Sequence, residues 1–184
     1  VKNRISRVVH KEIKDISVTD MKLIESFNDT KADYAKDKCI HELFEEQVAQ
    51  TPDKTAIVAA DKTLSYRELN EEANRIANSL IEKGIGKGDI VGLMLPRKSY
   101  LLSALFGILK TGALVVPLNY RYTADEIKYC LKLSESDAIV FGPEFTGRVE
   151  EIAHRIPDVK YTFYVGEDCP TFAESYNQLV TYCT

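Results

Sequence analysis

The segment "IVGLMLPRKSYLLSALFGILKTGALVVPL", residues 90–118, contains two short apolar runs on either side of a longer one. The outer runs, 90–95 and 113–118, have the length of strands and are rich in Val and Leu. The middle run, 98–110, has the length and residue types of a helix. Two strands joined by a helix are typical of a parallel pair with a right-handed crossover. This segment therefore predicts an α/β fold.

The alternation of strands and helices continues toward the C-terminus. A helix predicted from Thr123 is followed by the strand "DAIVFG" at 137–142, a helix near "GRVEEIAHRI" at 147–156 and the strand "KYTFYV" at 160–165. Nearly continuous apolar strands are typical of a sheet that is buried on both faces. We predict a mostly parallel sheet flanked by helices on both faces, in which helix 98–110, apolar nearly all round, is the most buried helix.

Upstream of these elements the sequence predicts a helix from about residue 40, a hairpin and a long helix. The hairpin is "TAIVAADKTLSY", residues 55–66, with its turn at Asp61-Lys62. Ser65 and Glu68 have the spacing of a capping box, which starts the long helix. Apolar residues at helical spacing give that helix one buried face: Leu69, Ala73, Ile76, Ala77 and Leu80.

The composition is that of a globular domain with an appended segment. Of 184 residues, 45% are hydrophobic and 28% charged, and the net charge is −4. A negative charge gives no general attraction to nucleic acid or to an anionic membrane surface, so small molecules or proteins are the expected partners. The apolar stretch 99–118 has the length of a membrane span, but Lys110 near its middle favours a buried helix and strand.

Residues 1–38 are polar and charged, with short apolar clusters only. We interpret them as a largely irregular linker or docking arm that carries one short helix. Regular helical spacing begins at Cys39, so the α/β domain is predicted to cover residues 39–184.

The cysteines and histidines do not form a recognisable site. These residues are widely spaced along the chain: Cys39, Cys130, Cys169, Cys183, His10, His41 and His154. They contain no C-x-x-C pair and no two metal ligands at the helical i, i+4 spacing. No spacing between them predicts a Cys–His catalytic pair. We therefore predict no disulfide framework, no metal site and a reducing, cytoplasmic environment.

Two motifs that suggest chemistry have simpler structural explanations. Lys110-Thr111-Gly112 matches one element of serine β-lactamases, but the Ser-x-x-Lys and Ser-Asp-Asn elements of those enzymes are missing. The alternate glycines of "GIGKG", residues 84–88, follow a predicted helix, whereas a phosphate-binding loop follows a strand and opens a helix. Both motifs are predicted to be helix ends, with glycine in the left-handed conformation.

Arg121 is the strongest candidate for a ligand contact. It lies in a short connection between the strand 113–118 and the helix capped by Thr123 and Glu126. Ligands collect at this end of the strands in open α/β sheets, and arginine can bind phosphate through two hydrogen bonds. A surface salt bridge is the alternative explanation.

Four ordered blocks between about Cys39 and Gly142 carry a family resemblance. They are "IHELFEEQVAQTPDKTAIV", "LSYRELNEEANRIANSL", "KGDIVGLMLPRKSYLLSALFGILKTGALVVPLN" and "TADEIKYCLKLSESDAIV". These blocks resemble the N-terminal part of the acyl-adenylate-forming superfamily, which includes acyl-CoA ligases and the adenylation domains of nonribosomal peptide synthetases. The arm "SVTDMKLIESFNDTKADY" is similar to the linker between a condensation domain and an adenylation domain.

The resemblance implies the first subdomain of an adenylate-forming fold. The complete enzyme of such a family activates an amino acid or another carboxylic acid with ATP and Mg²⁺, and transfers the acyl group to the thiol of phosphopantetheine or CoA. The Ser/Thr/Gly-rich phosphate loop of the family does not occur in this sequence. By the same resemblance, the chain alone holds no catalytic residue and no cofactor and is inactive, and its partners are the rest of the adenylation domain and neighbouring condensation and carrier domains.

One phrase departs from the pattern of peptide synthetases. "LNYRYTADEI" is closer to acyl-CoA ligases, and Asn119 and Arg121 match an "NPR" element whose arginine contacts a CoA phosphate in some members, with Tyr120 in place of Pro. An acyl-CoA ligase fragment therefore remains an alternative. A non-catalytic α/β protein-interaction module, and a piece that assembles with a separately supplied remainder of the enzyme, are two others.

Overall fold

The computed structural model describes residues 17–176. The chain divides into two compact units, 1–38 and 39–184. The described part of the first unit contains helix α1, Val18–Asn28, as predicted. The hydroxyl of Ser17 caps this helix by accepting a hydrogen bond from the Asp20 N–H at 3.1 Å.

The second unit is an α/β structure. Its helices are α2 (Ile40–Gln50), α3 (Tyr66–Glu82), α4 (Ser99–Lys110), α5 (Ala124–Leu133) and α6 (Thr146–Ala153), with a 3₁₀ turn at Pro143–Phe145. Its strands are β1 (Thr55–Val58), β2 (Thr63–Ser65), β3 (Ile90–Met94), β4 (Leu114–Pro117), β5 (Ala138–Phe141), β6 (Tyr161–Tyr164) and β7 (Glu174–Ser175). Strands β1 and β2 form the predicted antiparallel hairpin. The other five form a parallel sheet in the order β4-β3-β5-β6-β7, of which β7 was not predicted.

Helices cover both faces of the sheet. Val91 of β3 and Val140 of β5 pack in one core cluster with residues of α3 and α4. Met94, Ile139 and Phe141 of the same two strands pack in a second cluster with residues of α5 and α6. Because successive strand residues point to opposite faces, the two clusters lie on opposite sides of the sheet. The predicted architecture is confirmed.

Strand β4 differs from the prediction of a strand buried on both faces. It lies at the edge of the sheet and pairs with β3 alone among the described strands. Leu114 is 59% exposed, and Pro117 is exposed as well. An apolar run does not distinguish a central strand from an edge strand. Proline, which cannot donate to a ladder of hydrogen bonds, is tolerated at an edge.

Helix α4 is the most buried helix, as predicted, since Leu102 is its one exposed residue. It packs closely against α3 at Gly107. A Cβ atom placed on Gly107 would lie 2.4 Å from Cγ2 of Ile76 and 3.1 Å from the carbonyl oxygen of Ala73. These distances leave no room for a side chain, so Gly107 permits the close approach of the two helices.

Asp61, in the hairpin turn, caps the start of helix α4, although it is 38 positions from Ser99 in the sequence. The Asp61 carboxylate accepts hydrogen bonds from the Ser99 hydroxyl at 2.7 Å and from the Ser99 N–H at 3.2 Å. Lys98, at the N-cap position, makes no capping hydrogen bond with its side chain. The bonds from Ser99 lower the pKa of Asp61. The hairpin turn is thereby fixed to the start of the most buried helix.

The predicted helix ends are confirmed. Ser65 with Glu68, and Thr123 with Glu126, form the two capping boxes. Gly84 follows α3 with φ of 84°, in the left-handed region that glycine adopts most readily.

Asp137 joins three strands at the amino end of the sheet. Its carboxylate accepts hydrogen bonds from the Ile90 N–H of β3 at 3.0 Å and from Lys160 Nζ, just before β6, at 2.8 Å. The hydrogen bond from Lys160, and then that from Ile90, lower the pKa of this carboxyl group. The ionised form of Asp137 therefore stabilises the folded state.

We expect Gly107→Ala to destabilise the protein. Alanine is intrinsically better than glycine in a helix by about 1 kcal/mol, but the new methyl group would overlap Ile76 and the Ala73 carbonyl. Overpacking of this kind costs about 1–3 kcal/mol, so the free energy of unfolding should fall. Urea unfolding followed by circular dichroism measures it.

Gly147→Ala is the matched control, because a Cβ atom at Gly147 in α6 would meet nothing within 4 Å. That variant should be as stable as the original chain or slightly more stable. Equal stability of the two alanine variants would contradict the close packing of α3 on α4.

The contribution of Asp137 should depend on pH. The pKa of Asp137 is lowered in the folded state, so its stabilisation is complete above the unfolded pKa of about 4 and is lost as the pH falls through the lower folded value. Asp137→Asn should reduce the free energy of unfolding by about 1–2 kcal/mol at pH 7, and by much less at acid pH.

Urea unfolding of both proteins from pH 7 to pH 3 measures this difference. Asp53→Asn is the control, because Asp53 pairs with Arg67 at 3.0 Å with both side chains more than half exposed. A pH-independent loss at Asp137 would show that its charge has no role.

Candidate functional site

A cleft of about 870 Å³ lies at the carboxyl ends of β3, β4 and β5. The loop after β3 leads to α4 on one face of the sheet, whereas the loops after β4 and β5 lead to α5 and α6 on the other face. Such a divergence of neighbouring loops opens a crevice, which is where ligands bind in open α/β sheets. The residues that line the cleft include Pro96, Arg97, Asn119, Tyr120, Glu144 and Arg148.

The predicted site residues Asn119 and Arg121 lie in a tight turn beside the cleft. The Arg121 N–H donates to Oδ1 of Asn119 at 3.0 Å, and the Tyr122 N–H donates to the Asn119 carbonyl at 3.0 Å. Asn119 lines the cleft. The Arg121 side chain is next to Tyr120, with Nε donating to the Tyr120 hydroxyl at 2.9 Å and the guanidinium 5.3 Å from the ring centroid. Sequence reasoning identified this turn but not its internal contacts.

Arg121 is exposed and has no acidic partner within residues 17–176. The alternative explanation of Arg121, a surface salt bridge, therefore finds no support in that part of the chain. A role in ligand binding remains a prediction.

Two cations of the cleft were missed by the sequence reasoning. Arg148 of α6 donates from Nη1 to the carbonyl oxygens of Tyr120 at 2.8 Å and Tyr122 at 2.7 Å. Arg97, in the loop after β3, is exposed at the cleft and has no ion pair in the part of the chain that the structure describes. Arg97 lies within the third block of the family resemblance but has no distinctive spacing to another polar residue, and the contacts of Arg148 join residues 26 and 28 positions apart.

The cleft has an excess of positive charge. Lys98 and Glu144 form an ion pair at 3.3 Å, which joins the loops after β3 and β5. The electrostatic interaction with Tyr100, and then that with the Glu144 carboxylate, raises the pKa of Lys98. Arg97 and Arg148 also line the cleft, and Arg121 lies in the turn beside it. This arrangement suits an anionic group such as a phosphate.

Lys110-Thr111-Gly112 lies at the opposite end of β4 from the cleft. The Lys110 ammonium pairs with Glu45 of α2 and lies 6.0 Å from the centroid of the Phe44 ring. The Thr111 hydroxyl donates to the Ile108 carbonyl at 2.8 Å, and Gly112 has φ of 86°. The interpretation of this triplet as a helix end is confirmed.

The other motifs also have structural roles. The segment 84–88 follows α3 and leads into β3, as predicted. Among the described residues no group of His, Cys, Asp or Glu is arranged to hold a metal ion. Cys39, Cys130 and Cys169 are free thiols, whereas Cys183 and His10 lie outside the described residues. No helix between residues 17 and 176 is long and apolar enough to span a membrane.

Comparison with known families accounts for this arrangement of strands and loops. The profile of the family described as "AMP-binding enzyme" matches residues 44–179, which include the parallel sheet and the cleft. The chain belongs to this AMP-binding enzyme family. The predicted resemblance to adenylate-forming enzymes is therefore confirmed.

Relatives of this AMP-binding family member include peptide synthetases. It is 41% identical over 136 residues to Bacitracin synthase 1 of Bacillus licheniformis, an alignment that covers 72% of this chain and 3% of that protein. It is 36% identical over 154 residues to Gramicidin S synthase 1 of Brevibacillus brevis, covering 79% of this chain and 14% of the relative. The chain thus spans a small fraction of the length of these relatives.

The fold of this family member matches solved ligases. The anthranilate CoA ligase AuaEII, solved in complex with anthranoyl-AMP, superimposes with a TM-score of 0.73 at 26% identity. The match covers 76% of this chain and 27% of the ligase. The predicted first subdomain of an adenylate-forming fold is confirmed.

Proposed function

We propose that this chain is the N-terminal part of an adenylation domain in a nonribosomal peptide synthetase. In the complete enzyme, the carboxylate of an amino acid or another acid attacks the α-phosphorus of ATP, and pyrophosphate leaves. A pantetheine thiol then attacks the acyl carbon of the acyl-adenylate, and AMP leaves. The observation that carries this proposal is the 41% identity to Bacitracin synthase 1 within the match to the AMP-binding enzyme family.

The proposal assigns a role to each part of the chain. Residues 1–38 are the linker from a preceding condensation domain, and residues 39–184 are the first α/β subdomain of the adenylation domain. The rest of that domain and a carrier domain are the partners. The fractions of the relatives that the chain covers, 3% and 14%, support a place within a much longer polypeptide. We propose a cytoplasmic location because the scattered cysteines do not form a disulfide framework.

ATP and Mg²⁺ do not fit the residues described. Within residues 17–176 no cluster of carboxylates or histidines is arranged for a metal ion. The glycines of 84–88 follow a helix and so cannot present a helix N-terminus to phosphate. We infer that the phosphate-binding machinery belongs to other parts of the complete enzyme, and that this chain by itself does not catalyse adenylation.

The cleft, by contrast, fits the phosphate of phosphopantetheine or CoA. Arg121 has its terminal guanidinium nitrogens without a hydrogen-bond partner within residues 17–176, and Asn119 and Arg97 line the adjacent cleft. Arginine donates two parallel hydrogen bonds to a phosphate, which fixes its orientation as well as its position. We propose that Arg121, with Asn119, contacts this group when the thiol approaches the acyl-adenylate.

An acyl-CoA ligase is the second candidate. The sequence "LNYRYTADEI" and the structural match to AuaEII favour it, whereas the higher sequence identity to peptide synthetases favours the first candidate. The two candidates differ in the acceptor thiol, which is a carrier-bound pantetheine in one and free CoA in the other.

The complete enzyme should catalyse exchange of pyrophosphate into ATP when the correct carboxylic acid is present, whereas the 184-residue chain alone should not. The reason is that the chain supplies scaffold and cleft but no site for Mg²⁺ within its described residues. Exchange is measured with radiolabelled pyrophosphate across a panel of amino, aryl and fatty acids.

Exchange by the isolated chain would show that the chain needs no other part of the enzyme. An absence of exchange by the complete enzyme with every acid tested would overturn the proposed adenylation activity and favour a protein-interaction module.

Arg121→Ala in the complete enzyme should lower the rate of thiol transfer about tenfold relative to adenylation, the effect of losing about 1.4 kcal/mol of contact with the phosphate. The ratio of the two rates, at limiting concentrations of carrier protein or CoA, is the measured quantity. Arg67→Ala is the control, since Arg67 pairs with Asp53 on the surface. An unchanged ratio in Arg121→Ala would exclude the contact.

A further inference from the structure

The turn that carries Arg121 is held by a single cation from another element. Arg148 donates hydrogen bonds from Nη1 to the carbonyl oxygens of Tyr120 and Tyr122, the residues on either side of Arg121. The two donor–acceptor distances are 2.8 and 2.7 Å, in the short range of hydrogen bonds from a charged donor. Arg148 is thus part of the structure of the turn, although it lies in α6.

The guanidinium of Arg148 packs on a buried aromatic ring of the core. This group lies 5.1 Å from the centroid of the Phe145 ring, and Phe145 is a buried member of the core cluster below α5 and α6. Both groups line the cleft. A cation stacked on a buried ring has little freedom to reorient, so the core determines the position of the two carbonyl groups.

The turn needs this support because of its sequence. Tyr120 occupies the position where the "NPR" element of some ligases has proline, which would fix φ. Here the hydrogen bonds from the Arg121 N–H to Asn119 and from Arg148 to the two carbonyls restrict the backbone instead. The Tyr120 hydroxyl accepts from Arg121 Nε, and the terminal nitrogens of Arg121 have no hydrogen-bond partner within residues 17–176.

We propose that Arg148 is a positioning residue for thiol transfer, which acts by holding the turn 119–122 so that Arg121 faces a phosphate. This proposal rests on the proposed function, because the phosphate is that of phosphopantetheine or CoA. Arg148 has its Nη1 protons engaged by the turn and acts through Arg121, without a contact of its own to the ligand.

The first measurement concerns the turn and is independent of activity. In Arg148→Gln, amide hydrogen exchange of residues 119–123 should become about tenfold faster, because the two carbonyls lose a charged donor. Arg67→Gln is the control, because Arg67 lies in α3 and pairs with Asp53 at 3.0 Å. Unchanged exchange in Arg148→Gln would overturn the proposal.

The second measurement concerns transfer in the complete enzyme, with a pantetheine-loaded carrier protein and free CoA as separate acceptors. Arg148→Gln should raise the KM for the acceptor about tenfold, with a smaller effect on kcat. Arg148→Lys should recover part of the loss, because an ammonium can also donate to two carbonyls. Arg67→Gln should behave as the original enzyme.

The double variant Arg121→Ala/Arg148→Gln separates positioning from direct binding. If Arg148 acts through Arg121, the double variant should transfer no more slowly than Arg121→Ala alone. Additive losses would show that Arg148 binds the ligand itself and would overturn the proposal. Failure of the proposed function is distinguishable from failure of the Arg148 proposal. If the proposed function is wrong, the original enzyme shows no carboxylate-dependent pyrophosphate exchange, but Arg148→Gln still speeds amide exchange in the turn.

Discussion

The position of β3 between β4 and β5 is the constraint on which the rest of the domain depends. This strand is hydrogen-bonded to β4 on one side and to β5 on the other, and both neighbours run parallel to it. A parallel neighbour can be reached only by a crossover, and right-handed crossovers in opposite directions place α4 and α5 on opposite faces. The carboxyl ends of three strands therefore meet where their loops diverge, and the cleft follows from that topology.

Local patterns in the sequence predicted most of this architecture. The capping boxes at Ser65 and Thr123, and the helix ends at Gly84 and Gly112, depend on residues within one or two turns of each other. Patterns of this kind are readable because the interacting groups are close in sequence. The alternation of strands and helices was predictable for the same reason, because each element is recognised from the spacing of apolar residues within it.

The remaining features depend on contacts between distant residues. The capping of Ser99 by Asp61 joins positions 38 apart, and the hydrogen bonds of Arg148 to the turn join positions 26 and 28 apart. No residue spacing encodes such pairs. Likewise, the net charge of −4 gave no indication of the local excess of cations at the cleft. Overall charge describes long-range attraction, whereas a binding site depends on the few groups that converge there.

The exposed position of β4 has a consequence for handling the domain. An edge strand presents a row of backbone donors and acceptors that can template the addition of another strand. In β4 the proline at 117 removes the donor at one end, so this capacity is concentrated at Leu114–Val116, where the side chains are apolar. Among the described residues, the free edge of β4 is therefore a short apolar strip of unpaired backbone groups, the kind of surface that favours strand-to-strand association between copies at high concentration.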